Sequence, residues 1–532
     1  MSVHIPTTMM TQHPDSASRY VSVRDEPSEA IDALTPQPVG LGLEEVMVDY
    51  EGKLTPYHQT AEIALGLRER GLVPGVDIRV TPRVPSAGKE TVFHQLMALM
   101  SVIESNYQLS SDGEGAITEV VVPMVETAAE LIDVRRRIED VIDLGHKEFG
   151  IPRDPDSVQV IPLVEEVPEL LMAGRVVSEY LRQSAAAGYG VSDLRIMLGR
   201  SDSAMVYGMV PSILAVKIAI SDCYQATADG GGVHPIFGGG VLPFRGHVSL
   251  DNIDRLAEDF PGIRTVTVQS GLRYDCGSEA ARQVAIRAGE LLVAGGHLAY
   301  TREEREEITA MVGIFTRHYL ESFRPLLPLV ISLSDLIPAQ RDRLARKSAV
   351  GYARDAAQPA KLAAEITDED ISTRLKQVPA LKANNLPRAI SFTGALYSIG
   401  LPPEFIGTGR GLAELEKRYG DEGVDRLLRY HGGLKADLAK AARFADIDTA
   451  SSHLSPELRR QVREDFELVA RHLDVEPGPL DADERRYHTL LETLQPMMKQ
   501  MVSGGDWGAK TADTDLVAEW ICRLGRLRGS LG

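Results

Sequence analysis

The sequence contains little cysteine. Its 532 residues include three cysteines, Cys223, Cys276 and Cys522, which are scattered along the chain. No CxxC pair and no Cys/His spacing of the kind that holds zinc or an iron–sulfur cluster is present in the sequence. The cysteine pattern therefore argues against such metal sites, and it fits a reducing compartment.

Long apolar runs are also missing. The longest, GMVPSILAVKIAI at 208–220, is shorter than a membrane span and contains Lys217. The opening MSVHIPTTMM has neither the cationic region nor the long apolar region of a signal peptide. We therefore expect a cytoplasmic protein that does not bind membranes.

Basic side chains are the minority charge. The chain has 57 Lys and Arg against 76 Asp and Glu, a net charge of −19. Nucleic acids and anionic membranes are poor partners for such a chain, because affinity for them comes from clustered Lys and Arg. A small anion remains a candidate ligand, since a local basic pocket can form on an acidic protein.

The common nucleotide-binding and hydrolase motifs are absent as well. SAGKET at 86–91 is similar to the end of a phosphate-binding loop, but Arg83 and Glu90 stand where that motif needs glycine and a hydroxyl residue. GTGRGL at 407–412 lacks the third glycine of a dinucleotide fingerprint, and no HExxH or GxSxG occurs. Nucleotide hydrolysis, Rossmann redox chemistry and serine hydrolysis thus lose their usual sequence support.

From about residue 76 the sequence alternates short Val- and Ile-rich runs with longer amphipathic runs, which predicts alternating strands and helices. Apolar strands without strict alternation are typical of parallel sheets that are buried on both faces. The predicted strands are VDIRVTPRV (76–84), EVVVPMV (119–125), SVQVIPLV (157–164), DLRIMLG (193–199), VHPIF (233–237) and RTVTVQS (264–270).

Polar segments follow these strands: RVPSAGK, PMVET, PLVEE, GRSDSAM, FGGGVLPFRG and VQSGLRYD. Functional residues at the carboxyl ends of successive strands are typical of a barrel, whereas a doubly wound sheet concentrates its site at one switch point. We therefore predict an α/β fold, a (β/α)8 TIM-type barrel with additional, mostly C-terminal, helices. We expect one domain over 1–532, with the barrel core at roughly 40–400 and a helical extension at roughly 400–532.

Two carboxylates follow adjacent predicted strands. Glu165 ends VIPLVEE and Asp202 lies in LGRSDSAM, so a barrel would place both at the same rim. Such a pair suits Mg²⁺ or Mn²⁺, whose remaining ligands are water and substrate oxygens. The alternative is that they are ordinary carboxylates at helix N-termini, which the helix dipole favours. Glu126 and Glu166 compete for the same role.

A glycine-rich segment, PIFGGGVLPFRGHV, follows the fifth of these strands. The amides of Gly238, Gly239 and Gly240 could approach an oxyanion closely, and Arg245 offers a bidentate fork for phosphate or carboxylate. Arg83 and Arg388 also lie beside prolines. The alternative is a glycine turn with solvated surface arginines.

Taken together, these segments resemble the short, archaeal-type form of phosphoenolpyruvate carboxylase. The pattern TQHPD at 11–15 opens that family. Further segments match in the family's order: DYEGK (49–53), RVP (83–85), VIPLVEE (160–166), RSDSAMVYGM (200–209), PFRG (243–246), TVQSGLRYD (267–275) and NLPRAISFTGALYSIGLPPE (385–404). The resemblance covers nearly the whole chain, and eight ordered matches are far more specific than any one of them.

The longer bacterial and plant form of the family differs at two informative places. Its lysine after the YSDS motif is replaced here by Met205, so that role does not transfer. Its His-Gly-Arg-Gly-Gly loop corresponds here to Phe237 and three glycines, so the loop histidine and one arginine are absent or displaced. Glu126 lies where the archaeal-type family need not have a carboxylate.

The resemblance implies a chemistry and a set of roles. Phosphoenolpyruvate and bicarbonate give oxaloacetate and phosphate irreversibly, through carboxyphosphate and pyruvate enolate, which replenishes the tricarboxylic acid cycle. It implies a metal, Mg²⁺ with Mn²⁺ able to substitute, on Glu165 and Asp202, with Arg245, Arg83 and Arg388 around phosphate and bicarbonate. It also implies a homotetramer. Further residues in family-like segments are expected to contact the substrate as a second set. The alternative is that they serve packing and ion pairing. They are Lys53, Arg79, Arg200, Gly238, Gly239, Gly240, Gln269 and Arg273.

The resemblance also changes the interpretation of TTMMTQHPDSASRY, residues 7–20. Alone, this stretch is typical of a loose tail. The resemblance assigns His13 to carboxyphosphate, where it takes the carboxyl proton and holds the phosphate as CO₂ leaves. We therefore expect this segment to be ordered and to fold over the carboxyl face of the barrel. Deletion of residues 1–15 should abolish carboxylation and leave the barrel folded.

Two other functions stay open at this point. PMVET and PLVEE are similar to segments of metal-dependent barrel lyases or aldolases that act on a pyruvate-like enolate, as the citrate lyase β subunit does. A barrel that binds ligands without catalysis is the other alternative. Retention of His13, Glu165, Asp202 and Arg245 together argues against the second.

Overall fold

The fold was analysed in a computed structural model, which describes residues 4–109, 115–191, 193–228, 232–293, 296–344, 356–380, 386–504 and 512–532. Eight parallel strands close into a barrel in chain order. They are β1 (Thr8–Thr11), β2 (Glu45–Asp49), β3 (Arg79–Arg83), β4 (Glu119–Val122), β5 (Gln159–Val164), β6 (Asp193–Gly199), β7 (Gly232–Gly238) and β8 (Thr265–Val268). The predicted (β/α)8 barrel is confirmed.

The interior of the barrel is filled by side chains from several strands. A separate apolar cluster there contains Met9, Met47, Val121, Ile161, Leu163, Met197 and Ile236. Near the amino ends of the strands, the buried Arg195 of β6 pairs with Glu45 of β2 at 2.5 Å and with Glu119 of β4 at 3.0 Å. The lumen is therefore a packed core, and ligands can reach only its rims.

Helices surround the barrel and continue beyond it. Those within the described residues are α1 (Glu26–Leu34), α2 (Gln59–Glu69), α3 (Val92–Gln108), α4 (Ala128–Phe149), α5 (Val167–Ala187), α6 (Ser201–Tyr207), α7 (Met209–Ala226), α8 (Ile253–Asp259), α9 (Ser270–Tyr274), α10 (Ser278–Leu291), α11 (Arg302–Ser334), α12 (Pro359–Ala364), α13 (Glu369–Lys376), α14 (Ala389–Tyr397), α15 (Thr408–Tyr419), α16 (Glu422–Tyr430), α17 (Leu434–Ala442), α18 (Ile447–Ser451), α19 (Pro456–Leu473), α20 (Ala482–Gly504) and α21 (Ala512–Arg528). The apolar run at 208–220 forms most of α7, a buried helix that packs against α5 and α11. None of the helices in the described ranges has the length and apolar character that crossing a bilayer requires.

The barrel lies earlier in the chain than the sequence predicted. Its strands occupy residues 8–268, rather than part of a core at roughly 40–400, and the chain from Ser270 onwards is helical wherever a regular element is described. The predicted strand at 76–84 is the third, because β1 and β2 precede it. These two strands are four and five residues long, too short for a clear periodic signal.

The first strand corrects the prediction for the N-terminal segment. Met10 is paired in parallel with Val46 of β2 on one side and with Val268 of β8 on the other. Residues 8–11 are therefore one of the eight strands of the barrel, and not a tail that folds over it. His13 reaches the carboxyl rim because it follows the end of its own strand.

Candidate active site

A pocket opens at the carboxyl rim of the barrel, and we call it the rim pocket. It is lined by His13, Pro14, Glu51, Gly52, Arg83, Glu165, Ser201, Asp202, Arg245, Arg343, Arg388, Ala389 and Ile390. The predicted catalytic and metal residues are all among them. They come from the ends of five strands and from the helical half of the chain, and the barrel brings them together as the strand-end pattern indicated.

His13 lies in this pocket two residues after β1. Its Nδ1 is 2.8 Å from the hydroxyl of Thr11, and its carbonyl accepts a hydrogen bond from Arg341. Burial, and then the positive charges of Arg83, Arg245 and Arg343, hold the pKa of His13 well below its ordinary value. His13 is therefore neutral near pH 7 and able to accept a proton.

Glu165 and Asp202 form the acidic side of the pocket. Glu165 directly follows β5, and Asp202 lies in the first turn of α6, after β6. Gly199, at the end of β6, makes room for the glutamate, because a Cβ atom there would come within 3.3 Å of the Glu165 Cγ. Two carboxylates with hard oxygen donors fit Mg²⁺ or Mn²⁺. The described residues contain no group of three or more Asp, Glu, His or Cys suited to a metal, so substrate or water would complete the shell.

Arg83, at the end of β3, is held by three carboxylates. Its Nε and Nη2 each donate to Asp49 at 2.9 Å, and its Nη1 lies 2.6 Å from Glu51 and 3.9 Å from Glu165. Asp49 also accepts from Arg343 Nη1 at 2.6 Å. These arginines lower the pKa of Asp49 far below its ordinary value despite burial, so this carboxylate fixes both guanidinium groups in the pocket wall.

Arg245 is fully buried behind the pocket and contacts both ends of the chain. Its Nη2 donates to Gln269 at 2.5 Å and its Nη1 is 3.3 Å from Asp15, while Gly532 supplies a carbonyl to the same nitrogen. Asp15 in turn accepts from the Gly271 amide at 2.9 Å, and its carbonyl accepts from the Leu531 amide at 2.8 Å. The guanidinium is thus fixed by residues that are far apart in sequence.

The glycine run makes space for Arg245, and the amides of Gly239 and Gly240 are already paired within the protein. The Gly239 amide donates to Thr267, and the Gly240 amide donates to the carbonyl of Arg245. A Cβ atom at Gly240 would lie 2.9 Å from the Arg245 Cζ and 2.9 Å from Gln269 Oε1. Gly238 ends β7 and would meet the Leu198 carbonyl at 3.1 Å. The prediction that these amides cradle an oxyanion is therefore replaced by a packing role.

None of the residues predicted as secondary substrate contacts lines the rim pocket. Lys53 is buried against Glu26 at 2.6 Å and Gln12 at 2.9 Å. Arg273 is buried against the Thr11 carbonyl and Glu29. These two cations hold α1 and the end of β1 in place. They therefore follow the alternative of packing and ion pairing rather than contact with substrate.

Arg79 and Arg200 point elsewhere. Arg79 is the first residue of β3, so it lies at the opposite, amino rim, where it pairs with Glu119 and with the His4 carbonyl. Arg200 faces a different cavity, lined among others by His247 and His431. Both arginines lie in segments that resemble the family and are close in sequence to residues of the rim pocket. Their side chains nevertheless point away from that pocket.

The sequence prediction missed several residues that line or support the rim pocket, among them Asp15, Asp49, Glu51 and Arg343. Asp15 lies in TQHPD, and Asp49 and Glu51 lie in DYEGK, two segments that resemble the family. Arg343 follows α11 and has no strand-end signal. Its position in the pocket depends on how the helical half packs on the barrel, and periodicity does not encode that.

Comparisons with known proteins agree with this geometry. A model of the family described as phosphoenolpyruvate carboxylase matches residues 5–532. The chain belongs to the phosphoenolpyruvate carboxylase family. The resemblance on which the sequence analysis rested is confirmed, and so is the enzyme class, a carboxy-lyase.

Curated phosphoenolpyruvate carboxylases match over nearly their full length. The protein of Methanopyrus kandleri is 40% identical over 537 residues, covering 99% of this chain and 98% of that protein. The protein of Methanosarcina mazei is 39% identical over 538 residues, covering 99% of both chains. The protein of Pyrobaculum islandicum is 30% identical over 472 residues, covering 88% of this chain and 93% of that protein.

In this member of the phosphoenolpyruvate carboxylase family, Glu404 supports the turn that carries Arg245. Its buried carboxylate accepts from the Phe244 amide at 2.9 Å and from the Tyr397 hydroxyl at 2.8 Å. Burial raises the pKa of Glu404 to about 7. The folded chain thus keeps a proton on this group between about pH 4.5 and 7 that the unfolded chain loses.

We expect Glu404→Gln to flatten the pH dependence of stability. In the wild type, the stability associated with this proton is lost as pH rises from about 4.5 through 7, by at most about 3 kcal/mol. Glutamine keeps the acceptor oxygen and cannot ionise, so the variant should be more stable than wild type at pH 8 and nearly equal at pH 5. Thermal midpoints at both pH values measure this. Glu457→Gln, at an exposed glutamate, is the control, and equal pH slopes for wild type and Glu404→Gln would contradict the prediction.

Proposed function

We propose that this chain carboxylates phosphoenolpyruvate with bicarbonate, giving oxaloacetate and phosphate. The observation that carries the proposal is the convergence of His13, Arg83, Arg245, Arg388 and a carboxylate pair on one rim pocket. The substrates are anions, and three of these residues, with Arg343, bring cationic guanidinium groups to the pocket. The family to which the chain belongs supports the same reaction.

Glu165 and Asp202 would hold the divalent cation, Mg²⁺ with Mn²⁺ as a substitute. When bound, the cation supplies positive charge that neutralises the developing enolate. Arg83 pairs at 2.9 Å or less with Asp49 and Glu51 and lies farther, at 3.9 Å, from Glu165. This leaves the pocket with an acidic side for a metal and a basic side for phosphate.

Arg83, Arg245, Arg343 and Arg388 form that basic side. Phosphoryl transfer needs mainly positioning and charge neutralisation, which guanidinium forks provide. Arg83 and Arg343 share the carboxylate of Asp49, so both are oriented before substrate binds. Such preorganisation avoids the cost of moving charges as bicarbonate attacks phosphorus.

His13 would accept the carboxyl proton of carboxyphosphate, which then gives CO₂ and phosphate. Its neutral state suits it to that step, and the nearby arginines that keep it neutral also hold the phosphate. The enolate must be kept from water, which would otherwise protonate it to pyruvate. Pro14, Ala389 and Ile390 give this pocket an apolar wall.

The direct test is oxaloacetate formation by purified protein with Mg²⁺, phosphoenolpyruvate and bicarbonate. We expect oxaloacetate to form only with bicarbonate and His13→Gln to lower kcat at least about 100-fold, because a positioned base contributes that much. His58→Gln, at an exposed histidine, is the matched control. Bicarbonate-independent turnover would favour a lyase or aldolase, and an active His13→Gln variant would remove His13 from the mechanism.

We further propose that the chain is a single functional domain and that it assembles as a homotetramer. We also propose that it acts in the cytoplasm, where its product replenishes the tricarboxylic acid cycle. Sedimentation velocity at micromolar concentration tests the assembly, with four times the chain mass of 58.0 kDa expected. A monomer as the main active species would contradict it.

A further inference from the structure

A second buried polar cavity lies beside the rim pocket. Its wall includes Arg200, His247, Arg255, Asp259, His431 and Asp437. The centre of a water-sized sphere has about 10 Å³ open to it in the cavity, which is room for about one water molecule or an ion of similar size. Arg200, His247 and His431 are all at least nine-tenths buried.

Several polar atoms in this wall have no hydrogen-bond partner among the described residues. They are Nε and Nη2 of Arg200, both ring nitrogens of His431, Nε2 of His247 and one acceptor, Oδ1 of Asn252. Leaving buried polar groups unpaired is destabilising, and more so for charged groups. The remaining guanidinium nitrogen of Arg200, Nη1, donates to Ser212.

The charges around the cavity do not balance within the described part of the chain. Arg255 lies 3.2 Å from Asp437, and Lys217 lies 3.7 Å from Asp259, so each of these cations has a carboxylate. Arg200 has none within 4.0 Å among the described residues. A guanidinium group stays protonated in proteins, so Arg200 is charged at neutral pH. A fully buried, uncompensated charge is strongly destabilising, so this guanidinium needs a counter-anion.

We propose that the cavity between Arg200 and His431 binds one monatomic halide ion, chloride under ordinary conditions. The two free guanidinium nitrogens of Arg200 and a ring N–H of His431 are the donors. A cavity with room for about one water molecule favours a monatomic anion over phosphate, sulfate and carboxylates. The halide balances the one cation in this wall that lacks a carboxylate.

The site has a direct link to the rim pocket. Arg200 is followed by Ser201, whose hydroxyl lies 3.2 Å from Arg245 Nε, and then by Asp202. The carbonyl of Arg200 also begins α6 by accepting from the Ala204 amide at 3.1 Å. An anion on Arg200 therefore stabilises the first turn of α6, which carries Ser201 and Asp202.

The test combines a structure with a measurement in solution. Crystals of the full chain grown with sodium bromide should show an anomalous peak between Arg200 and His431. In solution, sodium chloride should raise the thermal midpoint by a few degrees above sodium gluconate at equal ionic strength, because gluconate is too large to enter. Arg200→Met should lose this difference, whereas Arg302→Met, at an exposed arginine, should keep it.

Three outcomes would overturn the proposal. One is a water molecule in place of the bromide peak. A second is a bromide peak without any chloride-specific stabilisation, which is binding at crystal concentration only. A third is an unchanged chloride response in Arg200→Met. If that variant does not fold, His431→Gln replaces it, and an undiminished chloride response there counts equally against the site.

Discussion

A chain lacking residues 1–11 is expected to have no folded barrel. The deletion removes β1, which pairs with both β2 and β8, and leaves two unpaired edges in a closed parallel sheet. It also removes Met9 and Met10, both fully buried. Circular dichroism and gel filtration should show an aggregated or expanded chain without a cooperative thermal transition.

The contrast with a point substitution makes this result informative. His13→Gln leaves β1 intact, so it should lose activity and keep the thermal transition of the wild type. A tail that merely covered the pocket would behave differently, because its deletion would abolish carboxylation while the barrel still melted cooperatively. A sharp transition in the deleted chain would therefore contradict the assignment of residues 8–11 to the barrel.

Replacing Asp202 by Asn is expected to remove both metal binding and carboxylation. The substitution preserves size but removes the charge of one of the two carboxylates proposed to hold the metal in the rim pocket. When a transition state loses such electrostatic stabilisation, the reaction rate typically falls by about 100- to 1000-fold. Mn²⁺ binding, followed by electron paramagnetic resonance without substrate, provides a readout that does not depend on turnover.

Glu126→Gln is the matched control for that experiment. Glu126 in PMVET occupies the position that Glu165 has in PLVEE, but it lies four residues after β4, pairs with Lys361 at 2.7 Å and does not line the rim pocket. Its neutralisation should leave Mn²⁺ affinity and kcat nearly unchanged. If Asp202→Asn binds Mn²⁺ as the wild type does, or if Glu126→Gln loses it, the assignment of the metal ligands is wrong.

The sequence predicts the fold best where periodicity is strong. Strands β3 to β8 coincide with apolar runs bounded by polar segments, and their carboxyl ends identify Arg83, Glu165 and Asp202. Strand β1, TMMT, is too short to register as a periodic run. Its role depends on closure of the barrel with β8, more than 250 residues away, and local propensity does not report such pairing.

The sequence separates pocket residues from supporting residues less well. Lys53 lies in the same segment as the rim residues Glu51 and Gly52, yet it holds α1. Gln269 and Arg273 follow the carboxyl end of β8, yet they hold Arg245 and β1 and do not line the rim pocket. Residue type and spacing indicate that a segment is near the site. Which side chain enters the pocket depends on packing between distant elements, as with Arg343.

The contact of residues 530–532 with Asp15 and Arg245 sets an order of events during synthesis. All eight strands lie within the first 268 residues, so the barrel can close when about half of the chain has been made. Arg245 gains its Gly532 contact, and Asp15 its Leu531 contact, only after residues 530–532 have been made. At about 5–20 residues per second, the stretch from residue 268 to residue 532 takes roughly a quarter of a minute to one minute. During that interval a partly synthesised chain can hold a closed barrel in which Arg245 and Asp15 still lack these contacts.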